Sequence, residues 1–298
     1  MKDIMTIVMR LTVSCLLAAT VIGLTFIFTS NAKKHNEHVK EQQVMYELLG
    51  YKAGMTVPAS VSMHELYRYI ISGQGKQSIA YLVPAGHDGE GGFYYVNIDL
   101  DGRVLGTEKV ELSEAEALEA ETRNRAVAGT AGTGFDVRFA DQTIIVTDNG
   151  KRIAYLLSGR FPGFKTFISV MLALDPRFGM LGMEILEHEE DPGLGAEIEQ
   201  DYFKNQFMGK PFEVLKKIGV VKEPLPDEYR AALEGKVGQD EIMKIREKYQ
   251  DKDIYALTGA TISSRSVSNG VKAIVRKFAY RVGILDKVLK EQQLDVPF

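Results

Sequence analysis

Residues 79–82 read Ile79-Ala80-Tyr81-Leu82, and residues 153–156 read Ile153-Ala154-Tyr155-Leu156. Each copy sits in a stretch that alternates apolar and polar residues, the period of a strand. Each is followed, at the same spacing from its Ile, by an Asp that opens a turn, Asp101 and Asp175. Each turn leads to a Leu-Gly pair, Leu105-Gly106 and Leu181-Gly182, the second carrying two extra residues. An echo this short leaves both a duplication, with halves 76–124 and 125–298, and a coincidence open. Either way the strands double back around polar turns, which predicts an α+β domain with an antiparallel sheet and flanking helices, not a doubly wound parallel one.

Outward from these strands, turn signals stand at Asp88-Gly89, Asp101-Gly102 and Asp148-Asn149-Gly150, the last that of a tight hairpin. Ser113 with Glu116 fits a capping box that opens an Ala/Glu-rich helix to about Asn124. Residues 61–72 read as a short helix with Tyr67 and Tyr69 as packing residues, completing a helical stalk over 33–75. From Ser263 onward Val267, Val271, Ile274, Val275, Phe278 and Val282 recur at three- and four-residue steps, which predicts a long amphipathic helix. Residues 222–253 are strongly charged and broken by Pro224, Pro226, Gly235 and Gly238, as in a solvated helical insertion. The folded domain is expected over 76–298.

Leu11 to Ala32 contains no charge and as a helix spans about 33 Å, the depth of a bilayer core. Residues 1–32 therefore read as a single membrane anchor, with a cleaved signal peptide ending near Ser30-Asn31-Ala32 as the rival. Lys2 and Arg10 before the run and Lys33 and Lys34 after it leave the orientation weakly specified. The net charge of −4 offers no basic footprint for nucleic acid. The one cysteine, Cys15, lies inside the apolar run, so the remainder can form no disulfide and can hold no cysteine-ligated cluster. Of the histidines His35, His38, His64, His87 and His188 none falls in a metal-ligand pattern, since His188-Glu189-Glu190 meets Pro192 where a second His would be needed. No metal site is expected.

Two loops carry chemistry. In His188-Glu189-Glu190-Asp191-Pro192-Gly193-Leu194-Gly195, Pro192 fixes φ for the first central position of a turn and Gly193 supplies the positive φ of the next. Backbone can approach a ligand closely there, although a plain strand-to-helix connection reads the same way. In Thr258-Gly259-Ala260-Thr261-Ile262-Ser263-Ser264 a hydroxyl-rich stretch opens the long helix. The unpartnered first amides and the helix dipole favour phosphate, and the hydroxyls of Thr258, Ser263 and Ser264 can donate to it. An N-cap with spare hydroxyls is the plainer alternative. The spacing is neither a Walker A loop nor a nucleophile elbow.

At these two loops the chain resembles the FMN-binding subunits of membrane redox pumps, the G-type subunit of Rnf complexes and the C-type subunit of sodium-translocating NADH:quinone reductases. Thr258 to Ser264 fits the family's S/T-G-A-T-x-S/T-S motif throughout, and residues 188–195 fit its H-x-E-T-P-G-L-G motif. Phe203, Gln206-Phe207, Gly209-Lys210 and the N-terminal apolar run match as well, and the anchor-proximal segment "HNEHVKEQ" is of the Rnf type. The chain departs from the pattern at Asp191, where the family has Thr, and at Tyr255, where the Asp recognised by the flavin transferase would stand.

The resemblance implies covalent FMN on Thr261 through a phosphoester, with Thr258, Gly259, Ala260, Ile262, Ser263, Ser264, Glu190, Pro192, Gly193, Leu194 and Gly195 around the cofactor. It implies an electron-transfer subunit without independent catalytic activity, and partners in the other subunits of an ion-translocating complex. The same resemblance implies maturation by a flavin transferase and a single-pass location in the bacterial inner membrane with the soluble domain extracytoplasmic. A threonine hydroxyl without a neighbouring base is a poor nucleophile, which agrees with a separate transferase. A membrane-anchored sensor domain that binds flavin or another phosphorylated ligand non-covalently is the alternative.

Overall fold

The structure, a computed structural model, describes every residue except 1, 52–53, 74 and 87–90, and of residues 2–3, 27–28 and 30–40 the backbone alone. The Asp88-Gly89 turn, His87, and the side chains of His35 and His38 thus lie outside the described residues. The chain divides into two units, Met1–Glu47 and Leu48–Phe298. The first is the body of one continuous helix, α1 (Lys2–Leu48). Within α1 the segment Ile4–Phe26 is long and apolar enough to cross a membrane, and its side chains are exposed.

The second unit opens on β1 (Val61–Gly73), β2 (Lys76–Pro84), β3 (Phe93–Asp99) and β4 (Val104–Val110), followed by α2 (Glu114–Leu118) and α3 (Ala120–Ala131). A second meander follows in β5 (Asp136–Asp148), β6 (Lys151–Pro162), β7 (Phe167–Leu174) and β8 (Met180–Glu187). All eight pair antiparallel in the order β4-β3-β2-β1-β5-β6-β7-β8, so the first strands of the two meanders meet at the centre. Next come α4 (Asp201–Lys204), α5 (Phe212–Leu215), β9 (Val220–Val221), α6 (Asp227–Leu233), α7 (Gln239–Tyr249), β10 (Ile254–Tyr255) and α8 (Thr261–Glu291). The fold is the expected α+β arrangement.

The expected helix over 61–72 is instead β1. Leu66, Tyr67, Tyr69 and Ile71 are buried, and a central strand covered on both faces shows no clean alternation for a periodicity to catch. The Ala/Glu-rich helix does open on the Ser113–Glu116 capping box, but Glu119 is extended and divides it into α2 and α3. Asn149 and Gly150, both at positive φ, make the two-residue β5–β6 turn as read.

The two copies of Ile-Ala-Tyr-Leu fall in β2 and β6, the second strand of each meander. The β3–β4 and β7–β8 turns share a hydrogen-bond plan, but with Asp99 rather than Asp101 as the counterpart of Asp175. Asp99 Oδ1 accepts from the amides of Asp101 (2.9 Å) and Arg103 (2.8 Å), and Asp175 Oδ1 from those of Arg177 (2.6 Å) and Gly179 (3.0 Å). Asp99 N donates to Arg103 O as Asp175 N does to Gly179 O. The position of positive φ is Gly102 in one and Phe178 in the other. Aligned this way, both turns reach their Leu-Gly pair after the same number of residues. Phe178 keeps its left-handed backbone under rings on three sides, from Tyr155, Phe212 and Phe278.

The helix α8 supplies the main core. Its Val267, Val271, Val275, Phe278, Val282 and Leu285 join Tyr81, Val83, Val96, Tyr155 and Leu157 from one sheet face. Ala117 and Val127 cover Tyr67, Tyr69, Ala80 and Leu82 on the other face of the first meander. A Cβ at Gly270 would stand 2.2 Å from the Phe161 ring, so this glycine sets how closely α8 approaches β6.

Candidate functional site

The site is built where the start of α8 meets two loops of the second meander. The loop after β8 turns at Asp191-Pro192-Gly193-Leu194: Leu194 N donates to Asp191 O (3.1 Å) and Gly193 has φ of 71°. That is the turn its Pro-Gly pair encodes. A 3₁₀ turn, Gly195–Glu199, continues the chain. His188 Nδ1 accepts from Glu190 N (3.0 Å) and its Nε2 lies 3.0 Å from Glu199 Oε1, which ties the loop's beginning to its end.

Glu190 reaches into the body with 5% exposure. Its Oε1 accepts from Phe164 N (2.7 Å) and Lys165 N (3.4 Å), in the β6–β7 connection, and its Oε2 accepts from the Ser263 hydroxyl of α8. Gly163 and Gly195 leave the room: a Cβ on either would meet a Glu190 carboxylate oxygen, at 2.4 and 2.8 Å. One carboxylate thereby draws together the three segments that enclose the site.

The expectation that Ser263 and Ser264 present hydroxyls to a phosphate is not met. Ser263 Oγ is spent on Glu190, and Ser264 Oγ donates to Ala260 O (3.0 Å) and accepts from Leu257 N (3.0 Å), with both residues buried. The hydroxyls are recruited inward because the loop leaves buried polar groups that need partners. Thr258 and Gly259 are exposed and Thr261 is half-buried. The capping alternative also fails, for the N-cap residue is Ala260, whose side chain has no acceptor and makes no capping bond. The first bond back into the helix is Ser264 N to Ala260 O (3.1 Å), so the amides of Thr261, Ile262 and Ser263 precede it. Gly259 holds φ of 78°, and a Cβ there would lie 3.0 Å from Leu194 Cδ2.

Residues outside the two loops, Gln206 and Lys210 among them matched in the sequence but without a role, position this helix start. Gln206, almost wholly buried, accepts from Tyr255 N (2.8 Å) and donates to Tyr255 O (3.3 Å), reading β10 as a neighbouring strand would. Lys210 Nζ donates to the carbonyls of Tyr249, Gln250 and Lys252, at 3.1, 3.1 and 2.6 Å, and burial pushes its ammonium down to about 8. Asp253 accepts from Gly219 N (2.8 Å). Tyr255 sets its ring against Tyr229 and Tyr249, which stack on one another at 4.2 Å. The charged insertion is therefore docked by a tyrosine cluster onto the segment that delivers Thr258 to Thr261. Its helices α6 and α7 share a small core of Leu233, Ile242 and Ile245 besides these rings.

Asp191 turns its carboxylate to Lys165 Nζ (2.5 Å), and this pairing raises Lys165 above the ordinary lysine range. The acid at position 191 thus comes with its own cation. Phe164, Leu194 and Ile262, one from each enclosing segment, are all about half exposed. Phe164 carries no motif signal; only the Glu190 bond to its amide brings it here. Among the described residues no group of His, Cys, Asp and Glu could hold a metal ion.

A long helix whose N-cap residue offers no side-chain acceptor, glycines where the loops approach one another and an apolar rim could together hold an anionic, partly apolar group. Residues 163–276, which take in both loops, match the FMN-binding domain family. Among curated proteins, the G-type subunit of the proton-translocating ferredoxin:NAD(+) oxidoreductase complex of Clostridium ljungdahlii is 29% identical over 127 residues. That alignment covers 43% of this chain and 54% of the relative, about half its length. Among solved structures, Shewanella oneidensis NqrC superposes with a TM-score of 0.39 at 17% identity, over 72% of this chain and 77% of that one. The C-type subunit of the Na(+)-translocating NADH-quinone reductase from Parabacteroides distasonis gives 0.32 at 21% identity, over 56% and 68%. The resemblance drawn from the two loops agrees with the match to the FMN-binding domain family and with the similarity to the G-type subunit.

Proposed function

We propose that this chain is a membrane-anchored electron-transfer subunit of an Rnf-type ion-translocating complex, carrying FMN in phosphoester linkage to Thr261. The observation that carries this reading is the uncapped start of α8 at Thr261, inside the span that matches the FMN-binding family. FMN supplies the capacity to accept and pass on one or two electrons; the protein supplies anchorage and environment. The amides of Thr261 to Ser263, without a partner among the described residues, and the positive end of the α8 dipole would hold the phosphate's remaining negative charge. Gly259 and Ala260 keep side-chain bulk away from it. Phe164, Leu194 and Ile262 offer the ring an apolar surface, and Lys165 balances Asp191 beside it.

Among the described residues no carboxylate or imidazole is hydrogen-bonded to the Thr261 hydroxyl, which supports installation by a flavin transferase rather than self-modification. The apolar segment of α1 supports the anchor, and the family resemblance supports an extracytoplasmic domain that works with the other subunits of the complex.

Tyr255 favours a second reading, a sensor domain with a non-covalent flavin or other phosphorylated ligand. At the place of the transferase's Asp it serves instead to dock the insertion, and Asp253 is held by Gly219 N. Mass analysis of protein co-expressed with its transferase decides between them. The first reading expects one FMN less one water on the Thr261 peptide, absent in Thr261→Ala. An unmodified Thr261 with yellow colour released on denaturation establishes the second with flavin as its ligand, and colourless protein overturns the first and restricts the second to a phosphorylated ligand other than flavin.

A further inference from the structure

Glu190 is a buried carboxylate whose hydrogen bonds all come from neutral groups: two backbone amides and one hydroxyl. Every partner donates, so the site is furnished for the anion. Among the described residues no ion pair to Glu190 is formed; Lys165 sends its ammonium to Asp191 and acts on Glu190 only through its field. Burying a carboxylate without a salt-bridge partner is costly, and a glutamine could satisfy the same geometry at lower cost, its carbonyl taking the two amides and its NH₂ facing the Ser263 oxygen. The stapling of three segments thus accounts for the hydrogen bonds but not for the charge. The charge lies where the helix start and both loops converge, walled by Gly163 and Gly195.

We propose that Glu190 is an electrostatic tuning residue: its fixed negative charge lowers the reduction potential of the flavin that the site holds. This rests on the reading of the site as a flavin site. Each electron the cofactor takes adds one negative charge to it, less any proton that follows. A buried anion nearby raises the free energy of the reduced form relative to the oxidised one, and a charge held at 5% exposure is screened less by salt than one at the surface. Asp191 does not act in the same way, because Lys165 neutralises it at 2.5 Å and the pair is open to solvent.

The test is a dithionite titration of the flavin in the holoprotein, with an indicator dye and thermal melting in parallel. Glu190→Gln, which removes the charge and keeps the staple, is expected to raise the midpoint potential with little change in melting temperature. Glu190→Asp, which keeps the charge and shortens the reach, is expected to lower the melting temperature and leave the potential near that of the wild type. A Glu190→Gln potential equal to or below the wild type overturns the proposal, as does a Glu190→Asp potential raised to the same extent as that of the Gln variant. Should Glu190→Gln fail to fold, it is combined with Ser263→Ala, which makes room for the amide, and the potential is expected to rise above that of Ser263→Ala alone; a potential equal to or below that reference overturns the proposal. Wild-type protein that carries no flavin overturns both this inference and the reading beneath it, whereas a flavin whose potential ignores these substitutions overturns the inference alone.

Discussion

Lys210 shows how one side chain can fix a segment it does not belong to. With 2% exposure, its ammonium gathers three carbonyls at the end of α7, and the chain runs from there through β10 to Thr258. Burial pushes it from 10.5 down to about 8 in the folded state. Between those values the unfolded chain binds more protons than the folded one, so this group's contribution favours folding increasingly as pH rises from 8 toward 10.5, and is constant below pH 8. The unfolding free energy of the wild type, from denaturant melts, is therefore expected to gain on that of Lys210→Met over pH 8–10, by less than about 1.4 kcal/mol per pH unit. A difference that is flat or shrinks over that range contradicts the assignment. At this scale the sequence showed Lys210 only as a motif match; its role depends on carbonyls some 40 positions later, which no local pattern contains.

Among the elements, α8 was the most legible, because its apolar stripe repeats over many turns. What its sequence hid is that Gly270 is a contact rather than a weak spot. Helix propensity alone makes Gly270→Ala stabilising by about 1 kcal/mol. The Phe161 ring, 2.2 Å from the added methyl, makes it an overpacking change costing about 1–3 kcal/mol. The packing effect is expected to win, with a lower melting temperature by calorimetry; a rise would show that α8 can move off β6 freely. The opposite case is β1, read as a helix because a strand buried on both faces loses its alternation. The turns lie between: Asn149-Gly150 and Pro192-Gly193 were readable because their φ values demand those residues, whereas Asp99 was passed over for Asp101, since an Asp's acceptor role depends on which amides fold back to it.

For the whole molecule, the apolar segment and the folded unit are separate matters. The side chains of Ile4, Leu11, Leu16 and Phe26 are more than half exposed and add nothing to a protein core. Deletion of residues 1–32 is accordingly expected to give protein soluble without detergent whose melting temperature stays within about 3 °C of the detergent-held full chain, a shift corresponding to about 1 kcal/mol at this size. Aggregation or a large drop would mean that the segment is part of the fold. The insertion is also a whole-molecule feature: 222–253 read as solvated because its charges dominate locally, yet Tyr229 and Tyr249 bind it to Tyr255, beside the site.

The sequence by itself determined the antiparallel α+β class, the apolar segment, the long helix and the two loops, because each rests on local periodicity or on a dihedral that few residues adopt. The tertiary structure alone decided which groups of those loops are free. Ser263 and Ser264 were drawn into internal hydrogen bonds, the amides ahead of them were left without a cap, Asp191 was given Lys165, and Glu190 was placed at the meeting of three segments. Those outcomes turn on partners distant in the chain and on the cost of leaving a buried polar group unsatisfied, neither of which is written in any one stretch.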